Sequence, residues 1–181
     1  MYIMKVSILG AGDITKIHRF SGMSESEVKI LIEDVGKLLA RKKVELVIVP
    51  VRGIPYEVAK VYKENKGPKV IGAVPKDDKE YGIMHIEEYR HISDEEFNIG
   101  DWYDLNGRIA AKGDIAICIG MSGGTICDVA MLKYHYKYLG KKTKLIIFEN
   151  TLSSKLPPEL EEDLKGNLIY IKSVKELEKY L

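Results

Sequence analysis

Apolar positions along this chain follow two rhythms in turn. Short unbroken runs rich in β-branched residues are separated by stretches in which apolar residues recur every three or four positions. That alternation predicts strands followed by amphipathic helices. Residues 5–9 form the first run, closed by Gly10-Ala11-Gly12-Asp13, so a strand and a turn are expected there. Ser24 then supplies an N-cap with Glu27 three residues on, and Val28, Leu31, Ile32, Val35, Leu38 and Leu39 keep helical spacing. The run at 46–51 has the continuous apolar character of a strand buried on both faces, and Pro55 suits the first turn of a following helix. That helix is expected to stop near Gly67-Pro68, ahead of a third strand at 70–74.

Residues 75–100 are polar, charged and weakly periodic, and they read as a long insertion or lid. A helix is predicted at 102–112, a fourth strand at 115–119, a helix opened by glycines at 124–139 and a fifth strand at 144–148. Beyond Thr151 come a short acidic helix, a strand at 168–171 and a final helix capped by Ser173 with Glu176. The regular alternation points to an α/β protein with a three-layer Rossmann-like fold, in which a mostly parallel central sheet is flanked by helices. No linker, repeat or break in composition divides residues 1–181, so one domain is expected.

Composition narrows the function classes. Lys and Arg total 28 against 27 for Asp and Glu, so no global basic field draws the chain to nucleic acid or to a membrane surface. No stretch approaches the roughly 20 apolar residues that span a bilayer. Cys118 and Cys127 form no CxxC pair and sit in apolar surroundings, as free thiols of a reducing compartment do. A cytoplasmic location is therefore expected. Glutamine is absent while Lys and Glu abound, a bias of the kind seen in hyperthermophile proteins. His85, His91 and His135 lie in no recognisable ligand set, so no metal is expected.

In open parallel sheets ligands bind beyond the carboxyl ends of the strands, which makes the residues after each strand the candidates. Gly10, Gly12 and Asp13 begin like a dinucleotide fingerprint, but Thr15 stands where its third glycine belongs. The missing glycine, and the lack of a ribose-binding acid at the end of the second strand, disfavour a nicotinamide-dependent oxidoreductase. The second strand leads into Arg52 and Gly53, and Arg52 has the fork geometry for phosphate or carboxylate. Asn106 and Arg108, before the fourth strand, are candidates to reach the same cleft if their segment is helical.

The turn Gly120-Met121-Ser122-Gly123-Gly124-Thr125-Ile126-Cys127-Asp128 is the most telling. Small residues there let backbone N–H groups approach an anion, and the helix start adds the positive end of its dipole. Ser122 and Thr125 add hydroxyls, and Asp128 falls about one turn into the helix. One reading of Asp128 is a ligand-facing carboxylate; the other is a complement to the helix dipole.

This turn resembles the Pro-Gly-Gly-x-Gly-Thr-x-x-Glu motif of the Lonely Guy type phosphoribohydrolases, once called lysine decarboxylase-like. Gly124 and Thr125 match its third glycine and threonine, Asp128 stands at its glutamate, and Gly120, Met121 and Ser122 replace Pro-Gly-Gly. Residues 70–75 resemble the family's Val-Ile-Gly-Val-x-Pro strand, and 51–53 occupy its Gly-Gly-Gly turn. The likeness runs from Lys5 to about Asn150. Hydrolase members carry an Arg-Lys pair where this chain has Leu105-Asn106, and relatives without that activity often carry Arg-Asn.

The resemblance implies a divergent member of a nucleotide-binding superfamily. The expected function is binding of a phosphate-bearing nucleotide or related small molecule, with hydrolysis of a nucleoside monophosphate to base and ribose phosphate as its enzymatic extension. In such an enzyme Asp128 and Arg108 would be catalytic. Gly10, Gly12, Asp13, Arg52, Gly53, Asn106, Ser122, Gly123, Gly124 and Thr125 would bind the phosphate or nucleotide, with no cofactor. The alternative is a non-catalytic carrier or sensor of a nucleotide or molybdopterin-type cofactor. A homodimer is the family-based expectation.

Overall fold

The computed structural model describes residues 2–76 and 84–181. Strand β1 (Lys5–Gly10) leads through α1 (Thr15–Ser21) and α2 (Glu25–Arg41) to β2 (Glu45–Ile48). Helix α3 (Ile54–Glu64) connects to β3 (Lys69–Pro75). Then come α4 (Met84–Glu87), β4 (Glu95–Ile99), α5 (Trp102–Arg108), β5 (Ile115–Ile119) and α6 (Gly123–Leu139). The chain closes with β6 (Lys144–Phe148), α7 (Pro158–Asp163), β7 (Leu168–Ile171) and α8 (Val174–Leu177). The strands form one seven-stranded sheet in the order β4-β3-β2-β1-β5-β6-β7, and every pairing is parallel.

Alternation along the central strands sends side chains into two separate cores. Leu46 and Ile48 pack in the layer of α2 and α3, whereas Val47 packs in the layer of α5 and α6. On β5, Ile115, Ile117 and Ile119 face the first layer, and Ala116 and Cys118 face the second. Both faces are covered, which is why these strands read as unbroken apolar runs. Helix α2 shows the predicted capping box: the Ser24 hydroxyl accepts from the Glu27 N–H, and the Glu27 carboxylate accepts from the Ser24 N–H at 2.7 Å. Its buried Val28, Leu31, Ile32, Val35, Leu38 and Leu39 are the predicted stripe.

One expectation is corrected. The stretch 75–100, read as an insertion or lid, ends in a strand that extends the sheet, since β4 pairs with β3 from Ile71↔Glu95 to Pro75↔Ile99. β4 is an edge strand with mostly exposed side chains, so it lacks the apolar run that marks the buried strands. Arg90 holds it by donating to both oxygens of Glu96, each at 2.6 Å. Residues 77–83 of the proposed lid lie outside the described residues. The helix expected at 102–112 stops at Arg108 and tightens into a 3-10 turn at Ala110–Lys112.

Candidate functional site

The chain crosses the sheet in opposite directions from β1 and from β5, and these two strands are neighbours. A crevice opens between their loops at such a reversal point. Here it is a cleft of about 670 Å³ lined by Gly10, Gly12, Arg52, Asn106, Ser122 and Gly124, together with Thr125, Asp128 and an aromatic wall.

The loops after β1 and β2 interlock. A Cβ on Gly10 would lie 2.7 Å from Ile54 and run into the Ile119 carbonyl. Gly53 has φ +98°, and a Cβ there would run into the Ala11 carbonyl. Both positions are glycine because two backbones cross, whether or not a ligand is near. Asp13 turns to its own helix, accepting from the Thr15 N–H at 3.1 Å and the Thr15 hydroxyl at 2.7 Å. The Thr15 hydroxyl hydrogen bond is the main cause holding its carboxyl below the usual range. Neither Asp13 nor Gly53 lines the cleft.

The turn after β5 is built differently. Ser122 caps α6, its hydroxyl accepting from the Thr125 N–H at 3.3 Å. The buried Thr125 hydroxyl donates to the Gly10 carbonyl at 3.1 Å and so ties the two turns together. The Gly120 N–H is consumed by the Thr151 hydroxyl at 2.8 Å. Gly123 and Gly124 stand apart from this network. A Cβ on either would meet no protein atom within 4 Å. No acceptor among the described residues meets their N–H groups. Packing does not require glycine at these two positions, and what their small size provides is an open helix N-terminus facing the cleft. Gly123 itself is not among the lining residues.

Asp128 projects from the second turn of α6 into the cleft, and its Oδ1 is buried without a hydrogen-bond partner. Burial pushes its pKa up to about 8. Near neutral pH it is therefore mostly a neutral acid that can donate a hydrogen bond, and it does not repel an anion. Among the described residues no carboxylate lies within ion-pair distance of Arg52, which leaves that guanidinium available at the cleft rim.

Arg108 is not brought to the site. It points away from the cleft, pairs with Asp104 at 3.3 Å and lines a separate depression beside α6. Sequence reasoning also missed the aromatic wall. His85 stacks on Trp102 with ring centroids 4.6 Å apart, and Tyr89 meets Tyr56 edge-on at 4.9 Å. His85, Glu88, Tyr89 and Trp102 line the cleft. Trp102 was within reach of the sequence, because it precedes Asn106 by four residues and shares its helix face. His85, Glu88 and Tyr89 carried no such signal.

These features define a Rossmann-like domain with a ligand-sized cleft at the sheet's switch point. The chain belongs to the SLOG cluster4 family, whose model matches residues 3–178. The SLOG superfamily includes the LOG-like Rossmann-type domains, so the resemblance read from the turn after β5 holds. Among solved structures, the chain is similar to a molybdenum cofactor carrier protein from Chlamydomonas reinhardtii, at 18% identity and TM-score 0.67 over 99% of this chain and 96% of that one. It is also similar to the molybdenum cofactor binding protein from Rippkaea orientalis, at 16% identity and TM-score 0.65 over 99% and 96%. DNA processing protein A from Helicobacter pylori, a single-stranded DNA binder, matches at 14% identity and TM-score 0.57, over 98% of this chain and 79% of that one. At these identities the likeness establishes the fold. No curated protein sequence matches the chain.

Proposed function

We propose that the cleft binds a phosphate-bearing nucleotide or a related small molecule such as a molybdopterin-type cofactor, and that the protein holds its ligand as a carrier or sensor. The observation that carries this reading is the open N-terminus of α6. Two glycines that the fold does not need leave N–H groups and the positive end of the helix dipole facing the cleft, beside Arg52. The phosphate sits there, and Asp128 donates to it or to a sugar hydroxyl. The flat part of the ligand lies toward Tyr89 and Trp102. The cleft volume suits one such molecule. Two similar structures hold the molybdenum cofactor by name, which supports a phosphate-bearing pterin as a candidate.

The absence of Arg108 from the cleft favours holding over turnover, because it removes the one cation assigned to charge stabilisation in a hydrolase. A second reading rests on Asp128. A neutral buried acid is also the group that protonates a departing base, so slow hydrolysis of a nucleoside monophosphate is the competing function. The protein works as a cytoplasmic homodimer on either reading.

Native mass spectrometry of gently purified protein tests the choice. A retained intact pterin or nucleotide supports the carrier. Release of free base from the monophosphates of adenosine, guanosine, cytidine and uridine at about 1 per second or faster, an ordinary enzymatic rate, would replace it with the hydrolase.

A further inference from the structure

The cleft carries an acid that phosphate binding does not explain. Among the described residues, Glu88 is the one acidic side chain besides Asp128 that lines it. Asp128 is mostly a neutral acid near neutral pH, which leaves Glu88 as the carboxylate that an incoming ligand meets. A carboxylate repels a phosphate-bearing ligand unless another part of that ligand brings N–H donors to it.

Local structure fixes where Glu88 stands. Ile86 is fully buried and anchors α4, and the Tyr89 N–H donates to the Ile86 carbonyl at 2.9 Å, closing the turn that carries Glu88. Arg90 then clamps the segment by donating to Glu87 at 2.8 Å and to both oxygens of Glu96 on β4. These bonds engage Glu87 and Glu96 and leave Glu88 out. Among the described residues no Lys or Arg lies within ion-pair distance of it. Its carboxylate stands beside Tyr89, whose hydroxyl is held above its ordinary range first by partial burial and then by Glu88. Glu88 therefore borders the aromatic wall. Asn106 reaches the same wall from α5, one helical turn after Trp102. Among the described residues no hydrogen bond engages its amide.

A carboxylate presents two acceptors side by side, and an amide adds a donor. Their complement is a ring edge with two adjacent N–H donors next to a carbonyl. That is the 2-amino-4-oxopyrimidine edge shared by guanine and the pterins. Adenine and cytosine place a ring-nitrogen lone pair beside their amino group, and uracil flanks its single N–H with two carbonyls. Each of these sets an acceptor against the carboxylate. We propose that Glu88 and Asn106 select, among phosphate-bearing ligands, those with a 2-amino-4-oxopyrimidine edge. The Glu88 carboxylate accepts from the ring N–H and the amino group, and the Asn106 amide donates to the carbonyl. This rests on the cleft reading above and adds the ring edge that the cleft distinguishes.

Trp102 is the only tryptophan of the chain and lines the cleft, so its fluorescence reports occupancy. The full chain is titrated with GMP, IMP, AMP, UMP and neopterin monophosphate. GMP and IMP differ only in the 2-amino group, and GMP is expected to bind at least about tenfold tighter, as a bidentate base contact does. Glu88→Gln is expected to bring GMP down to the affinity of IMP. Asn106→Leu is expected to weaken GMP and IMP alike, since both carry the oxo group, and to spare AMP. Glu87→Gln, on the neighbouring acid bonded to Arg90, is expected to leave the preference for GMP unchanged. Neopterin monophosphate bound tighter than GMP assigns the edge to a pterin, and the reverse order assigns it to a guanine nucleotide. Equal affinity for GMP and IMP, tighter binding of AMP or UMP, or a GMP preference that survives Glu88→Gln would overturn the proposal. If all five ligands bind alike, the cleft stands and only the edge assignment falls. If none binds, the cleft assignment falls with it.

Discussion

The turns after β1 and β5 are both rich in glycine and both border the cleft, yet their glycines exist for different reasons. Gly10 and its neighbour Gly53 are pressed against other backbone, and any side chain there collides with the fold. A Cβ on Gly123 or Gly124 would meet nothing, and the one on Gly124 would stand in open space at the cleft that Gly124 lines. A glycine motif thus mixes residues demanded by packing with residues demanded by what approaches from outside. The space a Cβ would enter separates the two. That difference is why we place the phosphate on α6 rather than on the fingerprint-like first turn.

The largest effect is expected where packing is the reason. Gly53→Ala adds a left-handed strain of about 1–2 kcal/mol to an overpacking cost of about 1–3 kcal/mol, so a loss of about 3 kcal/mol is expected from urea unfolding at unchanged m-value. If Gly53→Ala unfolds at the wild-type midpoint, the distinction between the turns is lost.

Next comes Asp128. Its pKa is raised in the fold, so between the unfolded value and about 8 the native state binds the extra proton and stability falls as pH rises through that window. Above about 8 the loss is complete and the dependence flattens. Asp128→Asn keeps the shape and removes this charge, so it is expected to flatten the pH profile and to stabilise the protein at pH 8, where the wild-type carboxyl ionises in its buried site. Wild-type and variant curves that run parallel from pH 4 to 8 would show that the carboxyl is not buried in the way described.

Gly124→Val sharpens the comparison from the other side. Valine and glycine differ by only a few tenths of a kcal/mol in a helix, so the stability of the free protein should barely move. The roughly 2.7 kcal/mol of stabilisation expected from ligand at a hundred times its dissociation constant should vanish, which thermal-shift titration reads directly. Retained nucleotide or pterin stabilisation in folded Gly124→Val removes the α6 assignment.

The smallest effect is at Thr125. Its hydroxyl is committed to the Gly10 carbonyl, so Thr125→Ala should cost about 1 kcal/mol of folding stability. Ligand affinity should change only through the loosened turn. A larger loss of affinity than of stability would mean that the hydroxyl serves the ligand after all.

Much of this architecture was readable before any coordinates. The capping box of α2, the apolar strands β1, β2, β3, β5, β6 and β7, and the glycine opening of α6 each follow from local spacing. Residues near in sequence decide them. β4 was not readable, because its Glu95, Glu96 and Asn98 turn polar side chains to water and leave no apolar run, whereas β7 at the opposite edge keeps Leu168, Ile169 and Ile171. Arg108 was misplaced for a related reason. Spacing put it three residues after Leu105, but helix geometry turned it outward onto Asp104. Asn106, on the same short helix, does face the cleft.

The sequence by itself determined the order of elements, the three-layer class and the family motif, since these depend on periodicity and on short-range turn chemistry. Only the tertiary structure decided which polar and glycine residues share one cleft. Burial beneath neighbouring elements keeps Asp128 protonated, and the crossing of two loops claims Gly10 and Gly53 for packing. Cys127, Met131, Tyr134 and Tyr138 on the outer side of α6 are exposed because the single sheet beneath the helix can cover only one side of it.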